Sequence, residues 1–193
     1  MPPITAPRGM VVTPHPLATA AGVDALRSGG TAVDAAVAAN AMLAVVYCNA
    51  CGLGGDAFAL VWDPTERRLH GLNGSGRSPA ALTIDRVRAA GHETMPQRGP
   101  LTIDVPGAVD AWDQMLERFG RRSLANALGP AAQTAEDGYA LTPINARSIH
   151  TALPTFDDAA RAVFETAGEA GDPFRQPLLA ATLRTLADGG RDA

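Results

Sequence analysis

Residues 29–47 have the sequence GGTAVDAAVAANAMLAVVY. The glycine pair at its start suits the left-handed conformation that ends a preceding helix. Thr31 followed by Asp34 is close to a capping box, so a second helix begins after Thr31. That helix is apolar nearly all round and rich in alanine, which predicts a core position with neighbouring backbones close to it. Asp34 and Asn40 interrupt the apolar run, and about 20 apolar residues are needed to cross a bilayer, so we expect no membrane span.

Two elements are predicted before this helix. Residues 9–13 are short and β-prone, which predicts a first strand. Pro16, Ala20, Val23 and Leu26 recur at three- and four-residue spacing. This spacing predicts a helix that buries these four side chains on one face.

A β-hairpin is predicted after it. Residues 58–62 and 68–73 are strand-like, and the turn-forming residues 63–66 lie between them. Two or three strands do not make a stable sheet layer with both faces covered. We therefore expect further strands from outside this chain.

From Thr83 onward the pattern is mostly helical. One helix follows Pro106-Gly107, and another is capped by Ser123. The first carries Val109, Trp112, Leu116 and Phe119, and the second carries Leu124, Leu128 and Ala132. Residues 186–193 are typical of a helix end followed by the start of a new segment, so we expect residues 1–193 to be a truncated part of a longer protein.

Composition excludes several classes of function. The formal net charge is −4, and all 16 cationic side chains are arginine. Nucleic-acid binding needs clustered positive charge, so we expect no nucleic acid as a partner. The first eight residues have no apolar region of the kind that a secretory signal requires. We expect a folded cytoplasmic protein.

Cys48 and Cys51 are the only cysteines, spaced as in a redox or zinc motif. Redox pairs of this spacing lie at the start of a helix after a strand, whereas this pair follows a predicted helix and precedes glycines. A zinc site needs two further ligands, and the four histidines show no ligand spacing. We predict two ordinary buried thiols, no metal and no cofactor.

Two glycine-rich loops flank the hairpin. The first, residues 52–57, resembles a dinucleotide fingerprint, but a helix precedes it and a strand follows, the reverse of what pyrophosphate binding requires. We interpret it as a tight turn that needs positive φ. The second loop contains Asn73, Ser75 and Arg77. Arginine in such a loop suits bidentate binding of a carboxylate, although a solvated surface arginine is an equally good interpretation from these residues alone.

Several segments in order closely resemble the start of the γ-glutamyltranspeptidase superfamily. They are Gly9-Met10-Val11-Val12, His15-Pro16-Leu17-Ala18-Thr19, Gly29 to Ala38, Gly52 to Phe58, Val105 to Val109 with Trp112, Phe119-Gly120, Pro130-Ala131 and Ala135 to Gly138. The resemblance covers nearly the whole chain. Many matches in one order are more specific than any single motif.

The resemblance implies an α+β fold, the four-layer αββα sandwich of N-terminal-nucleophile hydrolases, only part of which this chain contains. Members of the superfamily are precursors that cut themselves, and the new N-terminal threonine of the small subunit is the nucleophile. Met1 and Pro2 cannot take that role. We expect no catalytic residue in this chain, and we expect as partners the remainder of the large subunit, the small subunit and a small-molecule amide.

One departure from the family concerns the substrate arginine. Transpeptidases proper hold the γ-glutamyl α-carboxylate with a large-subunit arginine just after the hairpin. When this chain is aligned on Pro79-Ala80, Ser75 occupies the position of that arginine, and Arg77 lies two residues later. Either Arg77 reaches the same carboxylate from a shifted turn, or the substrate has no such group. Residues 96–101 look more like the acylase and small-amide hydrolase branches. We expect Arg77, Ser75 and Asn73 to face the substrate.

The resemblance thus implies part of an amidohydrolase or acyltransferase that cleaves a γ-glutamyl, glutaryl or small-acid amide. The alternative is a binding module that kept the fold but lost the catalytic half. The gene downstream of Ala193 discriminates them, since a catalytic threonine region supports the enzyme and a stop codon supports the module.

Overall fold

The computed structural model describes residues 3–193, which form two units. Met1 and Pro2, predicted not to be nucleophiles, lie outside the described residues. One unit comprises the described residues up to Gly52 and Trp112–Ala193, and the other comprises Leu53–Ala111. The α-helices and β-strands of residues 3–193 are α1 (Pro16–Arg27), α2 (Ala32–Val46), β1 (Ala57–Asp63), β2 (Arg68–Gly74), α3 (Ile84–Ala89), α4 (Ala108–Phe119), α5 (Leu124–Asp137), β3 (Tyr139–Ala140), α6 (Pro143–Ala152), α7 (Asp158–Phe164), β4 (Pro173–Phe174) and α8 (Pro177–Gly189).

The first unit is helical and is built around α2. Twelve of the fifteen residues of α2 are buried, and α1 and α5 both pack against it. The predicted capping box is present, because the Thr31 hydroxyl accepts from the Asp34 N–H while Asp34 accepts from the Thr31 N–H. The prediction of a core helix is therefore confirmed.

Asp34 does more than cap its own helix. Its side chain is 2% exposed, and its carboxylate also accepts the backbone N–H groups of Arg121 and Arg122, at 3.0 Å each. Burial alone would raise the pKa of Asp34, but the hydrogen bonds from Thr31, Arg121 and Arg122 outweigh it and hold the pKa below its ordinary value. One buried charge thus ties α2 to the loop between α4 and α5.

The other end of α2 is capped by side chains distant in sequence. Tyr139 donates to the carbonyl of Val45 at 3.0 Å, and the Gln176 amide donates to the same carbonyl at 2.9 Å. Asn145 donates to the carbonyl of Val46. The last carbonyls of a helix have no partner within it, so these three buried side chains supply the hydrogen bonds that α2 cannot make for itself.

The helix α1 forms as predicted, but its buried face is different. Pro16 and Ala20 are exposed, whereas Ala18 and Gly22 are buried. A Cβ at Gly22 would lie 3.1 Å from the carbonyl oxygen of Ala35. Small residues therefore form the contact between α1 and α2, because larger side chains would hold the two backbones apart.

Residues 9–13 form no strand, contrary to the prediction. Val11 packs against Gly22 of α1, while Val12 is 82% exposed. A strand needs a neighbour to pair with, and β-prone composition alone does not supply one.

The second unit contains the predicted hairpin. β1 pairs with β2 in antiparallel register from Ala57 opposite Gly74 to Asp63 opposite Arg68. The other sheet in residues 3–193 is the two-residue pairing of β3 with β4. The described residues thus form two two-stranded sheets, and the contribution of further strands from outside this chain stays a prediction. Among residues 3–193, no helix combines the length and apolar character needed to cross a membrane.

The glycine loop before β1 differs from its interpretation. None of Gly52, Gly54 and Gly55 has positive φ, and a Cβ at Gly52 or Gly54 would meet no atom within 4 Å. A positive φ therefore does not explain these glycines. The Gly55 carbonyl instead accepts the N–H groups of Gly107 and Ala108, at 3.2 and 3.0 Å, which attaches the loop to the start of α4.

Candidate functional site

The loop after β2 carries the three residues predicted to face a substrate. Asn73, Ser75 and Arg77 are exposed, and the glycines between them, Gly74 and Gly76, are partly buried. Alternate residues of an extended chain point to opposite sides. The structure therefore places the three predicted residues on one solvent-facing side of the segment.

Close packing on the other side holds this loop in place. A Cβ at Gly76 would lie 1.7 Å from the carbonyl oxygen of Val105, and one at Gly107 would lie 2.2 Å from that of Gly74. Val105 also donates to the Arg77 carbonyl at 3.0 Å. The two glycines are required because the backbones of residues 74–77 and 104–107 are nearly in contact.

Two side chains fix the loop from within the same unit. The Asp56 carboxylate accepts the Gly76 N–H at 3.2 Å, and the Asn73 side-chain oxygen accepts the Ser75 N–H at 3.0 Å. Asn73 thus shapes the turn with its oxygen, and its amide N–H groups can donate to a ligand. Arg77 extends from a firmly held backbone, an arrangement suited to binding a carboxylate.

An apolar surface adjoins this loop on the hairpin. Phe58, Leu60 and Trp62 alternate along β1 and are 68%, 75% and 59% exposed, and Leu69 opposite Trp62 is 55% exposed. We call these four residues the hairpin face. Asn73 pairs with Phe58, so the hairpin face and the side carrying Asn73 are the same side of the sheet. Contiguous exposed apolar surface of this kind is typical of an interaction site.

The two cysteines lie in the turn that follows α2, as expected, and both are free and partly buried. Burial raises the pKa of the Cys48 thiol and of the Cys51 thiol. The thiolate is the form that attacks substrates and binds metals. These environments therefore disfavour a catalytic or metal-binding role for the pair.

The sequence analysis missed one cluster of polar side chains. Asp63, Glu66 and His70 place one potential ligand atom each within 4.8 Å of one another, although the histidine spacing alone had indicated no ligand set. The sequence pattern did not reveal this cluster because it depends on the pairing register of the hairpin. That register places His70 diagonally across from Asp63, with Glu66 in the turn between them.

Comparison with known proteins places this geometry in context. The family model described as Gamma-glutamyltranspeptidase matches residues 18–193. The chain is 40% identical over 190 residues to a glutathione hydrolase-like YwrD proenzyme of Bacillus subtilis (strain 168), covering 95% of this chain and 36% of that protein. It is 38% identical over 200 residues to an oxamate amidohydrolase proenzyme of Klebsiella pneumoniae, covering 96% of this chain and 37% of that protein.

A solved structure is similar as well. The crystal structure of cephalosporin acylase from Bacillus halodurans superimposes with a TM-score of 0.85 and 38% sequence identity, covering 98% of this chain and 39% of that one. The chain thus spans little more than a third of the length of these relatives.

Proposed function

Because this chain belongs to the γ-glutamyltranspeptidase family, we propose that residues 1–193 are the N-terminal part of the large subunit of a self-processing amidohydrolase or acyltransferase. The two curated relatives described above are named proenzymes. In the proposed enzyme, the nucleophile is a threonine outside this chain, and residues 1–193 supply substrate contacts but no catalytic residue.

The hairpin face supports the proposed partners. Exposing four large apolar side chains to water on a two-stranded sheet is unfavourable in a complete folded protein. Further strands from the remainder of the large subunit and from the small subunit of the same precursor would cover these side chains. The cytoplasmic location predicted from the sequence stays a prediction.

The single observation that carries the substrate proposal is the rigid loop from Asn73 to Arg77. Its glycines fix the backbone against residues 104–107, and Arg77 projects from its exposed side. A guanidinium offers two parallel donors that match a carboxylate. We therefore propose a small amide that also carries a carboxylate, a class to which both glutathione and oxamate, named in the relatives, belong.

The test is to express the complete precursor and follow both self-cleavage and amide hydrolysis. We expect two fragments on a denaturing gel and release of amine or ammonia from γ-glutamyl, glutaryl or oxamate-type amides. The 193-residue chain alone should release none. A gene that ends at Ala193, or turnover by the isolated chain that a substitution within it abolishes, would contradict the proposal.

Arg77→Ala in the complete enzyme tests the substrate class. Losing one partner of a buried charge pair costs about 2–5 kcal/mol, so KM for carboxylate-bearing amides should rise at least about 30-fold, and KM for neutral amides far less. Arg77→Lys should recover only part of the loss. The matched control is Arg86→Ala, which removes an exposed arginine of α3. If the Arg77 variants treat charged and neutral amides as the wild type does, Arg77 is an ordinary surface residue.

A further inference from the structure

The tip of the hairpin brings three different potential metal ligands together. Asp63 ends β1 opposite Arg68, and His70 lies two residues further along β2 on the same face of the sheet. Glu66 lies in the turn, and its carboxylate oxygen is 3.2 Å from Nε2 of His70. The three ligand atoms all lie within 4.8 Å of one another.

Two of these side chains are held in place before any ion binds. One carboxylate oxygen of Asp63 accepts the backbone N–H groups of Thr65 and Glu66, at 2.7 and 3.3 Å. The His70 side chain is 9% exposed, so its ring is sheltered by the hairpin, while that of Glu66 is 54% exposed.

We propose that Asp63, Glu66 and His70 form a binding site for a divalent transition-metal cation, of which Zn²⁺ is the best match. Zinc takes imidazole nitrogen at about 2.0–2.1 Å and carboxylate oxygen at about 2.0–2.2 Å. Tetrahedral ligands at those lengths are about 3.3 Å apart, close to the present separation of Glu66 and His70. Calcium and magnesium prefer sites made only of oxygen, whereas one imidazole with two carboxylates suits zinc. Water on the exposed side completes the coordination, and the ion joins the two strands at their turn.

The experiment uses the 193-residue chain, stripped of metal and titrated with Zn²⁺ by calorimetry, with thermal unfolding as a second readout. We expect one ion per chain and a melting temperature that rises with zinc concentration, because an ion that binds only the folded state stabilises it. Losing even an outer-shell partner of a metal ligand costs about 10–100-fold in affinity. Glu66→Gln and Asp63→Asn should therefore each weaken zinc binding at least about tenfold.

These two variants keep the fold intact, which makes the result interpretable. Glu66 is half exposed, and the asparagine oxygen can still accept the turn N–H groups at position 63. His70→Gln should likewise weaken zinc binding at least about tenfold. His92→Gln, which removes another histidine of the same unit, is its matched control and should leave zinc binding unchanged. The double variant Cys48→Ser with Cys51→Ser should bind zinc as the wild type does, which shows that the cysteines are not the ligands. Absence of stoichiometric zinc, or zinc binding that survives both Glu66→Gln and Asp63→Asn, would overturn the proposal.

Discussion

In the helical unit, meaning the described residues up to Gly52 and those from Trp112 onward, the buried side chains of Asp34 and Trp112 are hydrogen-bonded within the unit. Asp34 accepts from Thr31, Arg121 and Arg122, and Trp112 donates to Asn40 at 2.8 Å. In the hairpin unit, residues 53–111, the loops are tightly held, but Phe58, Leu60 and Trp62 are exposed. The helical unit has a core of its own, whereas the hairpin unit exposes a contiguous apolar surface.

The largest expected effect is at Asp34, and it tests whether the helical unit stabilises itself. Asp34→Ala leaves several buried N–H groups without an acceptor, so the free energy of unfolding should fall by about 3–5 kcal/mol. Denaturant unfolding of the 193-residue chain measures this. Asp24→Ala is the control, since that carboxylate is 72% exposed, and it should change stability by less than about 0.5 kcal/mol. Equal changes in the free energy of unfolding for the two substitutions would mean that the hydrogen bonds of Asp34 do not stabilise the helical unit.

The hairpin face should behave differently in the fragment and in the complete precursor. Leu60→Thr with Trp62→Thr should leave the unfolding free energy of the 193-residue chain within about 0.5 kcal/mol and reduce its self-association. In the precursor the same pair should cost about 2–4 kcal/mol, because the side chains become buried. Leu178→Thr, at a residue of α8 that is 71% exposed, serves as the control from the helical unit. The same small effect in fragment and precursor would show that the hairpin face stays in solvent.

Gly76→Ala tests how rigidly the hairpin unit holds its loop. The added Cβ would lie 1.7 Å from the Val105 oxygen, so one of the two segments must move, at a cost of about 1–3 kcal/mol. Gly71→Ala is the matched control in β2, the strand that precedes this loop, because its Cβ would make an ordinary contact at 3.7 Å with Leu60. Proteolysis between residues 73 and 107 should speed up for Gly76→Ala alone. An unchanged rate would mean that the loop tolerates displacement.

The smallest effect concerns His15 at the start of α1. Its Nδ1 accepts the Leu17 N–H at 3.2 Å, so His15→Ala should cost about 1 kcal/mol as a lost helix cap. Burial lowers the pKa of His15 below 6.5. The contribution of the neutral ring is therefore complete above about pH 6.5 and is lost as the pH falls through the lowered folded-state pKa.

His15→Asn separates the two roles, because asparagine can cap the helix but does not titrate. Unfolding free energies measured from pH 7.5 to pH 4.5 should fall less steeply for His15→Asn than for the wild type. Identical slopes would assign the acid sensitivity to other groups.

Sequence reasoning succeeded where the determining interactions are local. The capping box at Thr31 and Asp34, the hairpin with its turn at Asp63 and the cap at Ser123 each depend on residues a few positions apart. All three are confirmed. The γ-glutamyltranspeptidase family and its αββα fold class are confirmed as well, by the family model and the similar structures.

It failed where the outcome depends on a distant neighbour. Residues 9–13 were β-prone but have no partner strand, and the buried face of α1 is set by the backbone of α2 rather than by its own largest side chains. Asn73, Ser75 and Arg77 are exposed, and their contact with a substrate stays a prediction. The closeness of Gly76 to Val105 is a contact between segments that no short-range pattern encodes.

The capping of α2 at its C-terminal end has a consequence for the order in which the chain folds. The carbonyl of Val45 takes its hydrogen bonds from residues 94 and 131 positions later. A ribosome adds about 5–20 residues per second, so α2 leaves it roughly 7–26 s before Gln176 does. Contacts of such long sequence separation slow folding, because the loop between them must close first. The most buried helix of the chain is thus among the first elements made and among the last to be completed.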